Sequence, residues 1–138
     1  MRVRLVSTIG LAIFSLAAGS ALGCGDEPPA NLVASSATKA GLRSAYLRAH
    51  RAWRPEQVAG PVVGTTYYGS YGGTEFAVAT FVTPDSVFPT IFERTPGNGW
   101  HAVRDTHGGI CTNWVPLELI RTWSLRHWGG RCFVEAPR

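Results

Sequence analysis

Charge, thiols and binding signatures are all scarce in this chain of 138 residues. Only 16% of it is charged, with 13 basic residues against 9 acidic ones. There is no dense Lys/Arg run, and Lys39 is the single lysine, so the electrostatic footprint of a nucleic-acid-binding surface is missing. Neither H-E-x-x-H nor paired C-x-x-C occurs, which removes the strong zinc signatures. The glycine clusters Gly69-Ser70-Tyr71-Gly72-Gly73 and Gly97-Asn98-Gly99 lack a Lys-Ser/Thr ending and a following helix, so they read as turns rather than phosphate loops. No internal repeat is visible, and no motif calls for a cofactor. What is abundant is apolar: 45% hydrophobic residues, with 16 glycines, 9 prolines, 5 tryptophans, 4 tyrosines and 6 phenylalanines. That composition describes one turn-rich globular domain and excludes a disordered chain.

The only long apolar run lies at the N-terminus. Met1-Arg2-Val3-Arg4 is a short basic region, and Leu5 to Leu22 follows without a charge. Its last stretch is rich in Ala, Gly and Ser, the order of an export signal. A retained transmembrane helix competes with this reading. The run is only about 18 residues, at the short end of a spanning helix, and Ser7, Thr8, Gly10, Ser15, Gly19 and Ser20 dilute it.

The signal ends in Ala21-Leu22-Gly23-Cys24, which resembles a bacterial lipobox, the motif after which the cysteine is lipidated on sulfur and the signal is cut before it. Gly23 and Cys24 match; Ala21 stands where the usual Leu would be, and Leu22 is one place nearer the cysteine. An Ala-x-Gly ending also suits the ordinary signal peptidase, which would give a freely secreted protein. Cysteine parity favours lipidation. The three thiols are Cys24, Cys111 and Cys132, and acylating Cys24 leaves Cys111 and Cys132 to pair in an oxidising compartment. The resemblance implies an anchor in the membrane through the lipid on Cys24. Arg2 and Arg4 would leave with the signal, so 11 of the 13 basic residues would face 9 acidic ones in the mature chain.

The expected organisation is a signal peptide over 1–23, a flexible tether over 24–37 and one α+β domain over 38–138. From Thr38 to Arg54, Leu42, Ala45, Ala49 and Trp53 recur at three- and four-residue steps, which predicts an amphipathic helix capped by Ser36 or Thr38 and ended by Pro55. Arg48, His50, Arg51 and Arg54 gather at its end, where they complement the helix dipole. Strands are expected over Val62–Tyr68, Glu75–Val82, Phe88–Arg94 and Trp100–Asp105, forming an antiparallel sheet. Both faces of the second are apolar, as in a central strand covered on both sides. The five-residue loop Thr95–Gly99 sets a register in which Arg94 faces Trp100, Glu93 faces His101 and Ile91 faces Val103. Pro116 opens a C-terminal helix running to about Arg126 and stopped by Gly129-Gly130. A Cys111–Cys132 disulfide would hold that helix to its own entry loop.

Chemistry has few candidates. Cys111 with His107, His127 or Asp105 is a conceivable thiol nucleophile, but pairing with Cys132 accounts for both remaining thiols at once. The run His101, Asp105, His107 would put the first two on one strand face with the third in the next turn, a weak zinc pattern that reads better as surface residues. Tyr67, Tyr68, Tyr71, Trp100 and Trp114 lie on or beside strand edges and loops, where exposed rings stack on sugars or partners; core packing is their default use. In a regular strand Tyr68 and Tyr71 face opposite sides. The function expected is a small exported, lipid-anchored envelope protein acting as a non-enzymatic binding or interaction module, with an envelope protein or a glycan as partner and no nucleic acid. Alternatives are a secreted inhibitor presenting Thr95–Gly99, or a small Cys- or metal-dependent hydrolase.

Overall fold

In the computed structural model the described residues are 27–136; the export segment, Cys24 and the last two residues lie outside them. Five antiparallel strands form a meander: β1 (Ala30–Asn31), β2 (Tyr67–Tyr71), β3 (Thr74–Val82), β4 (Val87–Arg94) and β5 (His101–Asp105), in the spatial order β1-β2-β3-β4-β5. The fold is α+β, as the pattern predicts. A helix covers each face: α1 (Ser36–Ala49) one side, α2 (Leu117–Thr122) the other. Beside α2 lies a small second sheet of β6 (Ile110–Cys111), β7 (Arg126–Gly129) and β8 (Cys132–Val134), ordered β6-β8-β7.

Alternation along β3 builds two cores. Ala77, Ala79 and Phe81 point toward α1 and pack with Leu42, Ala45, Tyr46, Val58, Tyr68, Phe92 and Trp100. Phe76 and Val78 point the other way, onto Ile91, Ile110, Val115, Leu119, Ile120 and Trp123. The strand is central and covered on both faces, as its apolar pattern requires. Phe81, Phe92 and Leu42 are fully buried, each contributing about 1.5–3 kcal/mol in transfer free energy.

The first helix is shorter than its periodicity suggests. Ser35, one place before the expected caps, accepts from the Thr38 amide at 3.1 Å, and the helix stops at Ala49 rather than Arg54. Tyr46 takes the buried place assigned to Ala49, which is exposed. A 3-10 turn over Pro55–Gln57 follows. Arg43, on the helix flank, donates to the carbonyls of Pro55, Val58 and Gly60 at 2.8, 2.7 and 3.3 Å, and so fastens that turn to α1.

Three other expectations are corrected. Val62 to Thr66 is a turn rather than a strand, because Gly64 takes φ 79° and Thr65 N bonds back to Val62 O; β2 therefore begins at Tyr67. Ala30–Asn31, within the expected tether, adds to the edge of β2 by pairing with Ser70 and Gly69. A Cβ on Gly69 would lie 2.4 Å from the Ala30 carbonyl and 2.6 Å from Leu119 Cδ1, so only glycine admits both β1 and α2 here. The C-terminal helix ends at Thr122 instead of Arg126, with Ser124 in left-handed geometry at φ 55°. The rest of that segment becomes the β7–β8 hairpin, turned at Gly130 (φ 55°).

The disulfide is present, in a different role. Cys111 and Cys132 are direct partners on β6 and β8, with Cα atoms 4.0 Å apart. It ties the hairpin to β6 and encloses α2 rather than clamping the helix to its entry loop. Closing a loop of 21 residues is worth about 3 kcal/mol in the chain-entropy description. The double variant Cys111→Ser/Cys132→Ser is expected to melt on the order of 10 °C lower than the parent, read by differential scanning calorimetry; an unchanged melting temperature would remove the bridge from the stability of this domain.

Candidate functional site

The five aromatics singled out from sequence separate once the strands are placed. Tyr68 and Trp100 are buried against α1, while Tyr67 and Tyr71 pack on the α2 face, so Tyr68 and Tyr71 do face opposite sides. No shared ring platform exists among these four. Tyr67 lines a small cavity of about 160 Å³ with Thr65, Thr80 and Val134, and Trp114 lines a groove with Arg104, Asp105, Thr106, His107, Gly109, Cys111 and Trp128. The groove holds about 170 Å³.

The groove depends on a bulge in β5. Phe92 pairs with Ala102, but Ile91 pairs with Arg104, leaving Val103 as the extra residue. The expected Ile91–Val103 pairing is thereby overturned, whereas Glu93 faces His101 as expected. A bulge inverts the face of every residue beyond it. Arg104 is sent to the α2 side with Ile91, where its guanidinium lies over the Trp114 ring, 4.6 Å from the centroid. Asp105 is sent to the α1 side with Thr90.

There Asp105 is fully engaged. Oδ1 accepts from Thr90 Oγ1 at 2.6 Å and Oδ2 faces His50 Nε2 at 2.7 Å. His50 Nδ1 faces the Tyr46 carbonyl at 2.9 Å. His50 thus bridges the end of α1 to the carboxylate of Asp105. Tyr46 stacks on His50 with centroids 4.0 Å apart; burial first, and then the Asp105 charge, raise its phenol pKa. The same inversion separates His101 from Asp105, which were expected to share a face, and His107 instead meets the edge of Phe88 at 4.8 Å. Among the described residues no group of three His, Cys, Asp or Glu is placed to hold a metal. The Cys111 sulfur is committed to the disulfide, which leaves it without nucleophilic capacity.

Four features make the groove suited to binding. Trp128 is 61% exposed and rests on Gly109, where a Cβ would come within 3.2 Å of its ring. The Arg104 guanidinium lies over the Trp114 ring with no hydrogen bond or ion pair to another described residue. Thr106 is only 5% exposed, and its hydroxyl is buried with no hydrogen-bond partner. A buried unpaired hydroxyl costs about 1–3 kcal/mol, so an acceptor or donor brought by a ligand has something to recover. Finally, the volume is below the ~300–1,000 Å³ of drug-sized sites and admits one ring rather than a large cofactor. Sequence reasoning missed Trp128, Arg104 and Thr106. The signal for Trp128 was the pair of short runs around Gly129-Gly130, which marks a hairpin as well as a helix stop. A larger hollow, about 330 Å³, lies beside β1, but Lys39 is its only ionisable residue.

Trp100 serves a different purpose. Arg94 lies over its ring at 4.7 Å, as expected from their pairing across the loop, and Tyr68 meets it edge-on at 5.8 Å. Arg94 in turn grips Glu75 with two hydrogen bonds, and the Tyr68 hydroxyl donates to the same carboxylate. Comparison with known protein families, characterised proteins and solved structures gives no match for this chain.

The Arg94 hydrogen bonds hold the Glu75 pKa below the ordinary carboxylate value, with burial opposing. A depressed carboxyl contributes stability above its unfolded pKa, about 4.3, and loses it as pH falls through the folded value. Glu75→Gln is therefore expected to melt below the parent near neutral pH, with the difference shrinking below about pH 4. Thermal melts across that range check this; a difference independent of pH would assign the loss to packing alone.

Proposed function

We propose that this is an exported, lipid-anchored envelope protein that acts as a non-enzymatic binding module, with the Arg104–Thr106–Trp114–Trp128 groove as its binding face. The observation that carries the reading is the unpaired Thr106 hydroxyl at an aromatic groove whose one guanidinium is also unpaired. Both groups are placed to bind and neither is placed to react: the adjoining cysteine is oxidised and Asp105 is spent on His50 and Thr90.

The strand that follows the lipidation candidate and the strand that carries the groove are opposite edges of the sheet. Cys24 is joined to β1 through only residues 25–29, about 20 Å of extended chain, because Ala30 is paired in the sheet. The groove is carried by β5, the opposite edge of the sheet, four strand spacings or about 19 Å away. A lipid on Cys24 would hold the β1 edge against the membrane and leave the groove facing outward.

Two experiments test the two halves. Intact mass of protein from its native host, with and without reductant before alkylation, is expected to give an acylated Cys24 and two thiols that appear only on reduction; an unmodified Cys24 in a soluble product would refute the anchor. For the groove, titration with fragments of envelope glycan, followed by tryptophan fluorescence, is expected to saturate in the parent. Affinity should fall by about tenfold in Thr106→Val and more in Trp128→Ala. Unchanged affinity in both variants would move the binding face elsewhere.

A further inference from the structure

We infer that the groove takes a carboxylate-bearing pyranose, an acidic sugar, with its carboxylate on the N–H edge of Arg104. This rests on the groove being the binding face and adds the class of ligand. The first argument is charge. Arg104 and Asp105 alternate across the strand, and the bulge at Val103 decides that the guanidinium goes to the α2 side and the carboxylate to the α1 side, where His50 and Thr90 take it up. Arg104 is thus a cation with no counter-charge among the described residues, and His107 on the same rim adds a further donor and no acid. Asp105 also lines the groove, but both its oxygens are bonded to His50 and Thr90, so the charge left without a partner there is positive and suits an anion.

Geometry narrows the anion. A guanidinium is planar and carries its N–H donors in a fixed fork, and that of Arg104 rests over the Trp114 indole. That fork matches the two coplanar oxygens of a carboxylate. The remaining lining fits a sugar ring: the exposed indole of Trp128 offers an apolar wall, and the buried Thr106 hydroxyl offers a partner to a ring hydroxyl. About 170 Å³ equals five or six waters at ~30 Å³ each, the space of one sugar residue and too little for a nucleotide. A longer glycan would enter with a single acidic residue.

The test uses the mature exported protein with its disulfide intact, titrated by calorimetry with methyl glucuronoside, neutral methyl glucoside, and a short peptide ending in a free carboxylate. The uronate is expected to bind about ten- to a hundredfold more tightly than the neutral sugar, the range for a charge-assisted pair. Arg104→Gln should erase that preference while leaving the weaker neutral binding in place. Arg104 is exposed, so the variant is expected to fold, which an unchanged melting temperature verifies. Equal affinity for uronate and neutral sugar would overturn the acidic-sugar inference and leave the groove standing as a binding face. Tighter binding of the peptide than of the uronate would assign the carboxylate to a protein partner and overturn the sugar. If none of the three probes binds, while glycan fragments still bind in a Thr106-dependent way, the ligand class is wrong; if those too fail, the groove reading itself falls.

Discussion

One inserted residue decides what the edge of this sheet can do. Without the bulge at Val103, Arg104 would point into the α1 side and Asp105 toward α2. The α1 side already carries Arg48, which donates to the Trp100 carbonyl at 2.7 Å, and His50 lies against the end of β5. Sending the acid there and the guanidinium to the other face satisfies both: Asp105 acquires His50 and Thr90 as hydrogen-bond partners, and Arg104 acquires an indole to lie on. The same device blunts an edge strand that would otherwise invite pairing with another chain. Stability on one face and binding capacity on the other thus come from a single irregularity in the ladder.

The second face is assembled rather than merely packed. β6, β7 and β8 total nine residues, and strands this short do not persist without support. The disulfide supplies it by joining β6 and β8 at a paired position, and Phe133 and Ile110 dock them on the α2 core. Trp128 is fixed in turn, because β7 has no partner but β8 and its indole needs the open surface of Gly109. The architecture of the groove therefore depends on oxidation: with Cys111 and Cys132 reduced, the hairpin carrying Trp128 would lose its main constraint.

The legible part of the sequence was the part with strict periodicity. β3, β4 and β5 fall within a residue of their expected limits because alternating apolar side chains and the Thr95–Gly99 loop specify them locally. The Arg94–Trp100 and Glu93–His101 neighbours follow from that loop, and so does the two-faced burial of β3. The illegible part required information from elsewhere in the chain. Nothing local marks Val103 as a bulge, since its position reflects what Arg104 and Asp105 find on either side. Ala30–Asn31 is a strand only because Gly69 lets it approach. The segment after Thr122 has helical spacing at Leu117, Ile120 and Trp123, and continuing that period to Arg126 neglected the pull of Cys132 toward Cys111. The groove was hidden for the same reason: its residues come from β5, the β5–β6 loop, β6, the turn after it and β7, and no window of sequence contains them together.

The cost accepted in the groove argues for use rather than accident. In the α1 core the polar groups of Tyr68, Glu75 and Arg94 satisfy one another, and Asp105, Thr90 and His50 do the same nearby. Thr106 is one residue from that satisfied set, and its backbone is paired, with the amide donating to the Pro89 carbonyl at 2.8 Å. Its side chain alone is left without a partner. Valine has nearly the same shape and would fill the space without the penalty of an unmet hydroxyl, about 1–3 kcal/mol. The Trp100 indole N–H, in the α1 core, is also buried without a partner; Thr106 differs in lining a cavity that a ligand can enter. Thr106 lines the same cavity of about 170 Å³ as the Arg104 guanidinium and the exposed Trp128 indole. A ligand that pairs the hydroxyl, neutralises the cation and covers the indole removes all three liabilities together, which is the physical content of calling this face a binding site.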